Sequence, residues 1–283
     1  MPPIIISNLQ DYLNQVLAIQ SNKHLGVPLF FRGESRDYQN KIKNTLSMNP
    51  SVFRSTAIKE KRLFLDFKMY LPANQLNYEP IIDRLKILCD MQHYEIPTRL
   101  LDWTFAPLVA LYFVCKSNQS EPGCVYVLDP NYLRSQSMPP KGNANEHDFN
   151  IMARALLVDH PQTKALSTAT KLFPGNHKLT KYPSNLEIPF PFVAQYTNPR
   201  ILAQQGAFTI HGSKSDYDFE ANPAVLKKFT LLPSVKRLIF RHLTMLRFNE
   251  YSLFPDFDGM KRTFEDFYTL FPAEKHLKNR KTK

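Results

Sequence analysis

Apolar positions recur along this chain with two periods. Over residues 7–22, Leu9, Tyr12, Leu13, Val16 and Ile19 fall on one helical face, with Ser7 placed to cap it. The helical period returns over Ser55–Tyr70, through Ile58, Leu63, Phe64 and Phe67, and over 80–93, through Ile81, Ile82, Leu85, Leu88 and Cys89. Pro233 opens a helix that runs to Phe248. Asp256–Leu270 is the last helix, predicted to turn Phe257, Met260, Phe264, Phe267 and Tyr268 inward. Short apolar runs bounded by turn residues predict strands at Leu29–Phe31, Thr98–Leu101, Cys124–Leu128, Ala207–His211 and Lys228–Leu232. The unbroken run at Cys124–Leu128 suits a strand buried on both faces, and Ala207–His211 puts Phe208 and Ile210 on one face. Ile201–Gln205 reads as one helical turn. Periodicity fails in Asn44–Phe53, and again from 134 to 191, where Pro, Asn, His and Lys dominate. The second stretch reads as a long loop or insertion holding one helix, Asp148–Val158.

These elements predict an α/β (α+β) protein: a small mixed sheet, split or twisted, flanked by helices. The chain divides into an N-terminal helix (1–24), a single domain (25–270) with the 134–191 insertion, and a basic tail (271–283) with little to bury.

The densest polar patterning lies in 92–113, QHYEIPTRLLDWTFAPLVALYF, which holds the only tryptophan, Trp103. Pro97 forces an extended entry. Pro107 suits a first helical turn, after which Leu108, Leu111, Tyr112 and Cys115 bury one face. Asp102 or Thr104 is placed to cap that helix. Gln92, His93, Tyr94, Thr98, Arg99, Asp102 and Thr104 would then cluster at a strand end over a helix N-terminus, where anions and phosphate-bearing ligands bind. Arg32-Gly33 ends the first strand: the arginine fork can engage phosphate or carboxylate, and the glycine permits a close backbone approach.

Composition narrows the classes. At 283 residues, with 43% hydrophobic and 22% charged residues, the chain can bury a full core. No apolar run reaches the roughly 18 residues of a membrane span. The N-terminal MPPIII lacks a basic region and a cleavage motif. Cys89, Cys115 and Cys124 have no paired spacing and read as free thiols in a reducing cytoplasm. Cys89 and His93 stand four apart, but two further ligands are wanting, so no metal is expected. The net charge of +11 favours polyanionic partners, nucleic acid or nucleotide phosphates, or an acidic protein.

Four blocks carry a family resemblance: Phe31-Arg32-Gly33, QHYEIPTRLLDWT with ALYF after it, Arg200–His211 (RILAQQGAFTIH) and Ser252–Gly259 (SLFPDFDG). In this order they resemble the FRG-domain family of bacteria and phages, over about residues 25–270. A second similarity is to ADP-ribosyltransferases, which hold NAD with an aromatic-Arg-Gly strand, a strand–helix unit with small hydroxyl residues, and a Glu-containing turn. Phe31-Arg32-Gly33, Leu101–Thr104 with Val109–Phe113, and Gln204–Phe208 are similar to these three pieces in turn.

That similarity implies an ADP-ribosyltransferase-like arrangement of the fold and NAD as substrate. The enzyme would be an ADP-ribosyltransferase or NAD glycohydrolase acting as a toxin or phage-defence effector on nucleic acid or protein, with a protein partner or antitoxin to restrain it. Arg32 would contact phosphate or ribose and Gln205 ribose, Asp102 and Thr104 would line the site, and His93 would hydrogen-bond or transfer a proton. Gly33, Tyr94, Arg99 and Gln204 complete the expected binding set, with Arg99 pairing to Asp102 or Glu95. The family's carboxylate position holds Gln205 or Gln204, and an amide cannot balance developing positive charge. Asp102 or Glu34 must supply that charge, or the chain binds a nucleotide or nucleic acid without cleaving it.

Overall fold

The computed structural model describes residues 4–21, 28–37, 48–54, 60–71, 84–137, 188–194, 198–211, 217, 219 and 222–271. The expected helix Asp148–Val158, most of the 134–191 insertion and nearly all of the basic tail lie outside these residues.

Among the described residues seven strands form one mixed sheet: β1 (Ile4–Ile6), β2 (Phe30–Glu34), β3 (Leu100–Thr104), β4 (Gly123–Leu128), β5 (Phe190–Phe192), β6 (Gly206–Ile210) and β7 (Leu226–Leu231), in the order β1-β7-β4-β2-β3-β6-β5. Only β1 and β7 run parallel; the other neighbours are antiparallel. Nine α-helices accompany them among the described residues: α1 (Leu9–Ser21), α2 (Glu60–Tyr70), α3 (Arg84–His93), α4 (Pro107–Lys116), α5 (Pro130–Ser137), α6 (Pro199–Ala203), α7 (Pro233–Met245), α8 (Glu250–Leu253) and α9 (Phe257–Leu270). A 3-10 turn spans Ser51–Arg54. The mixed α/β architecture matches the expectation from sequence, with more strands than the five predicted.

Strand alternation divides the core. On one face Phe31, Val125, Val127, Phe229 and Leu231 pack under α1, α4 and α7. Farther along the sheet, Leu100, Phe208, Ile210, Phe190 and Phe192 meet α2 and α3. The opposite face carries Phe30, Leu101, Trp103, Cys124, Tyr126 and Leu128, covered by Leu133 of α5 and by Phe219. Strand β4 is therefore buried along its whole length. The three free thiols are buried too, and burial pushes Cys115 and Cys124 up to about 12.

Three local expectations are corrected. Asn8, not Ser7, supplies the capping oxygen of α1, accepting from the Asp11 amide (2.9 Å). The N-cap of α4 is Ala106, without a side-chain cap; Thr104 Oγ1 takes the Ala106 amide instead (2.9 Å). Helix α9 does not turn its aromatics inward: Phe257 is 85% exposed, Tyr268 68% and Phe264 55%. The reason is polar. Glu250 is buried and accepts from Tyr112 Oη (2.7 Å) and Arg262 Nε (2.9 Å), while Lys116 reaches Asp266. Helix α9 docks through this charged network, so its apolar stripe faces out.

Candidate functional site

The site begins with an interrupted pairing. Strand β2 pairs with β4 over five positions, Phe30↔Leu128 to Glu34↔Cys124, and β3 pairs with β6 over five, Leu100↔Ile210 to Thr104↔Gly206. Between β2 and β3 the register runs over one position, Phe31↔Thr104. Beyond it the strands part, and a cavity of about 410 Å³ opens in the gap. That volume lies in the ~300–1,000 Å³ range of small-molecule sites.

Arg32 bridges the parted strands. Its Nη1 donates to the Asp102 carbonyl (2.8 Å), and its Nη2 pairs with Glu34 Oε1 (2.6 Å), both side chains being largely buried. Gly33 lies so close to α4 that a Cβ there would stand 1.9 Å from the Ala110 carbonyl oxygen. The absent side chain is thus taken up by helix packing, although the residue also lines the cavity.

Asp102 stands alone on β3 as an exposed residue among buried ones. Its Oδ2 accepts from Gln92 Nε2 (2.7 Å), and Gln92 Oε1 accepts from Thr98 Oγ1 (2.5 Å). Thr104 is nearly spent on structure: its hydroxyl donates to the Gln204 carbonyl (2.6 Å) while accepting from Ala106. Gln204 in turn donates from Nε2 to the Leu253 carbonyl (3.2 Å), tying α6 to α8.

His93 ends α3 and lines the cavity. Its Nδ1 is buried without a hydrogen-bond partner among the described residues. Burial, and then the charge of Arg200, hold it below the ordinary histidine range, so the ring is neutral near pH 7. Arg200 donates to the His93 carbonyl (3.2 Å) and stacks on Phe254 at 4.6 Å.

Of the residues predicted from sequence, Arg32, Gly33, Glu34, Gln92, His93, Asp102, Thr104 and Gln204 line this one cavity; Tyr94, Thr98, Arg99 and Gln205 do not. Gln205 occupies the left-handed region (φ 46°), where its carbonyl accepts from the Phe105 amide (3.0 Å). Tyr94 is exposed, its ring 4.8 Å from that of His93. Arg99 pairs with neither Asp102 nor Glu95. Glu60 of α2 takes its Nε (2.6 Å) and its backbone amide (2.8 Å), an interaction 39 positions apart that local spacing cannot reveal.

Sequence reasoning missed Arg54, which the 3-10 turn brings to the cavity, and Arg200 and Glu95. Arg200 was within reach, since it opens the Arg200–His211 block; Arg54 carried no signal. With Arg32, Arg54 and Arg200 facing Glu34, Glu95 and Asp102, the cavity holds three cationic and three anionic side chains. The excess of +11 therefore resides elsewhere on the chain. Among the described residues no group of three or more His, Cys, Asp or Glu gathers as for a metal, and no helix is long and apolar enough to cross a membrane.

Residues 28–122 match the family model of the FRG domain. The match runs from the entry of β2 to the residue before β4. It thus contains Arg32, Gly33, His93, Asp102 and Thr104, while Gln204, Gln205 and the Ser252–Gly259 block lie beyond it. No curated protein and no solved structure matches the chain.

Proposed function

We propose, from the similarity of Phe31-Arg32-Gly33 and of Leu101–Thr104 with Val109–Phe113 to pieces with which ADP-ribosyltransferases hold NAD, that the cleft between β2 and β3 binds NAD and breaks its nicotinamide–ribose bond. The observation that carries this reading is the balance of charge in the cleft. NAD brings a cationic nicotinamide ring and an anionic pyrophosphate, and both find complements among Asp102, Glu34, Arg200 and Arg54. A purely polyanionic ligand would gain from the arginines but meet the three carboxylates.

In this reading Asp102 faces the reacting ribose. The glycosidic bond breaks with its electron pair leaving on nicotinamide, which neutralises the ring. The sugar carbon gains oxocarbenium character that a carboxylate stabilises. Water or an acceptor nucleophile then adds, losing its proton to a base, and the base assigned is His93, whose neutral ring lines the cavity. Arg32 holds Asp102 and Glu34 in place and adds positive potential toward the pyrophosphate. Consuming NAD in this way would make the chain a toxic or defensive effector, and a protein partner would be needed to restrain it.

The test is incubation with NAD and quantification of free nicotinamide. Release by the wild type, lost in Asp102→Asn and kept in the surface variant Lys261→Ala, supports the reading. Equal release from wild type and Asp102→Asn removes it. A second reading rests on the charge of +11 lying mostly outside the cleft: a nucleic-acid-binding module whose contact surface is elsewhere. It predicts binding to DNA or RNA whose log affinity falls steeply with log salt, and a flat response rejects it.

A further inference from the structure

We propose that Thr98 and Gln92 are positioning residues that aim the Asp102 carboxylate into the cleft, an inference that rests on the reading of the cleft as an NAD site. The chain of bonds starts from a buried anchor. Thr98 is fully buried, and its amide donates to Ser51 Oγ (3.1 Å). Its carbonyl accepts from the Val52 amide (3.2 Å). The turn that carries Arg54 to the cavity therefore also clamps Thr98.

The direction of each bond is set from the other end: a carboxylate oxygen only accepts, so Gln92 turns its NH₂ to Asp102 Oδ2 (2.7 Å). That leaves Gln92 Oε1 facing Thr98, whose Oγ1 donates to it (2.5 Å) while accepting from the Leu100 amide (3.1 Å). Asp102 is the exposed residue on a strand otherwise buried, and a lone carboxylate at such a position would sample several rotamers in solvent. The Gln92 donor selects one. Gln92 lines the cavity and Thr98 lies behind it; in this scheme both act through the geometry of Asp102, where a displacement of about 1 Å can cost ~100-fold in rate.

Nicotinamide release is measured as kcat and KM for wild type, Thr98→Val, Thr98→Ser and Gln92→Glu. Gln92→Glu keeps the acceptor for Thr98 but replaces the donor to Asp102, and it preserves shape if Thr98→Val fails to fold. Expected is a fall in kcat on the order of 10- to 100-fold in Thr98→Val and Gln92→Glu, with KM within about threefold, and recovery in Thr98→Ser. Unchanged kcat in Gln92→Glu, or a Thr98→Ser as impaired as Thr98→Val, overturns the proposal. A crystal structure of Gln92→Glu separates this failure from that of the NAD reading. If no protein releases nicotinamide but the Asp102 side chain has swung away, the positioning stands and the substrate assignment falls. An unmoved Asp102 overturns the positioning itself.

Discussion

Arg32 Nη1 donates to the carbonyl of Asp102, 70 positions away, across the gap where β2 and β3 cease to pair. The same guanidinium holds Glu34. One planar fork thereby fixes the spacing of two strands and the place of the Glu34 carboxylate, which an ammonium on a flexible stem cannot do. Arg32→Lys is expected to lower stability by on the order of 2 kcal/mol and, on the proposal that the cleft takes NAD, to weaken its binding at least about tenfold. Denaturant unfolding and calorimetric titration check the two effects, and a variant that keeps both values would show that the fork is dispensable.

Gly33 sits beside Arg32 for a different reason. A Cβ at this position meets backbone atoms of α4, the Ala110 oxygen at 1.9 Å and its carbonyl carbon at 2.8 Å, which cannot rotate away. Gly33→Ala should lose about 1–3 kcal/mol or more. At Gly206 the nearest atom is the Ile201 Cγ2 at 3.2 Å, so Gly206→Ala serves as the milder comparison. Equal thermal midpoints for the two alanine variants would contradict the packing described.

The legible parts of this fold are those whose determinants are local. Strand β3 and helix α4 follow from Pro97, Pro107 and an apolar period, and Arg32 and Asp102 stand out as polar breaks within apolar runs. Strand β1 was hidden, because Ile4–Ile6 becomes a strand only by lying parallel to β7. Strand β5 was hidden by Pro191, which argues against a strand except at a sheet edge, where β5 lies. The partnership of Arg99 with Glu60, outside the cleft, and the approach of Arg54 to it depend on tertiary placement and leave no periodic trace. Helix α9 misled for the opposite reason. Its apolar stripe is clear, but burial was decided by the charged side chains around Glu250.

Lys236 is a buried charge that no sequence pattern announced. It has no exposed surface, and its Nζ shares its three protons among the carbonyls of Ser35 (2.6 Å), Asn118 (2.8 Å), Glu121 (3.0 Å) and Ser117 (3.1 Å). The ammonium thus ties the end of β2 to the α4–β4 connection. Lys236→Met keeps the stem but orphans the carbonyls, and is expected to cost on the order of 3 kcal/mol. Chemical denaturation checks this, and a loss below 1 kcal/mol would mean that water takes over the carbonyls without penalty.

His211 sets an acid limit on stability. It is fully buried behind β3, with Nε2 near Thr209 Oγ1 (3.2 Å), and that hydroxyl in turn accepts from Trp103 Nε1 (3.0 Å). Burial, then the charges of Arg32 and Arg99, push its pKa down to about 3. The unfolded chain therefore takes up this proton near pH 6.5 while the folded chain refuses it until about pH 3. Stability is intact above pH 6.5 and falls as pH drops toward 3, by about 1.4 kcal/mol per unit from this group. Unfolding free energies at pH 7, 5 and 4 should show that slope in wild type and a shallower one in His211→Gln. Parallel slopes would assign the acid sensitivity to other groups.

Helix α9 offers a test in which the sequence pattern and the structure disagree in sign. An inward Phe264 would make Phe264→Ser a core deletion costing several kcal/mol. In the structure Phe264 is 55% exposed, and the contact that holds the helix start is elsewhere. Gly259 is buried against α8, and a Cβ there would lie 2.0 Å from the Phe254 carbonyl oxygen. Phe264→Ser is therefore expected to change stability by less than about 0.5 kcal/mol, whereas Gly259→Ala should cost about 1–3 kcal/mol by forcing α9 off its seat. Thermal unfolding of the two variants side by side decides it: the reverse order would mean that α9 is rotated, with its aromatic stripe buried after all.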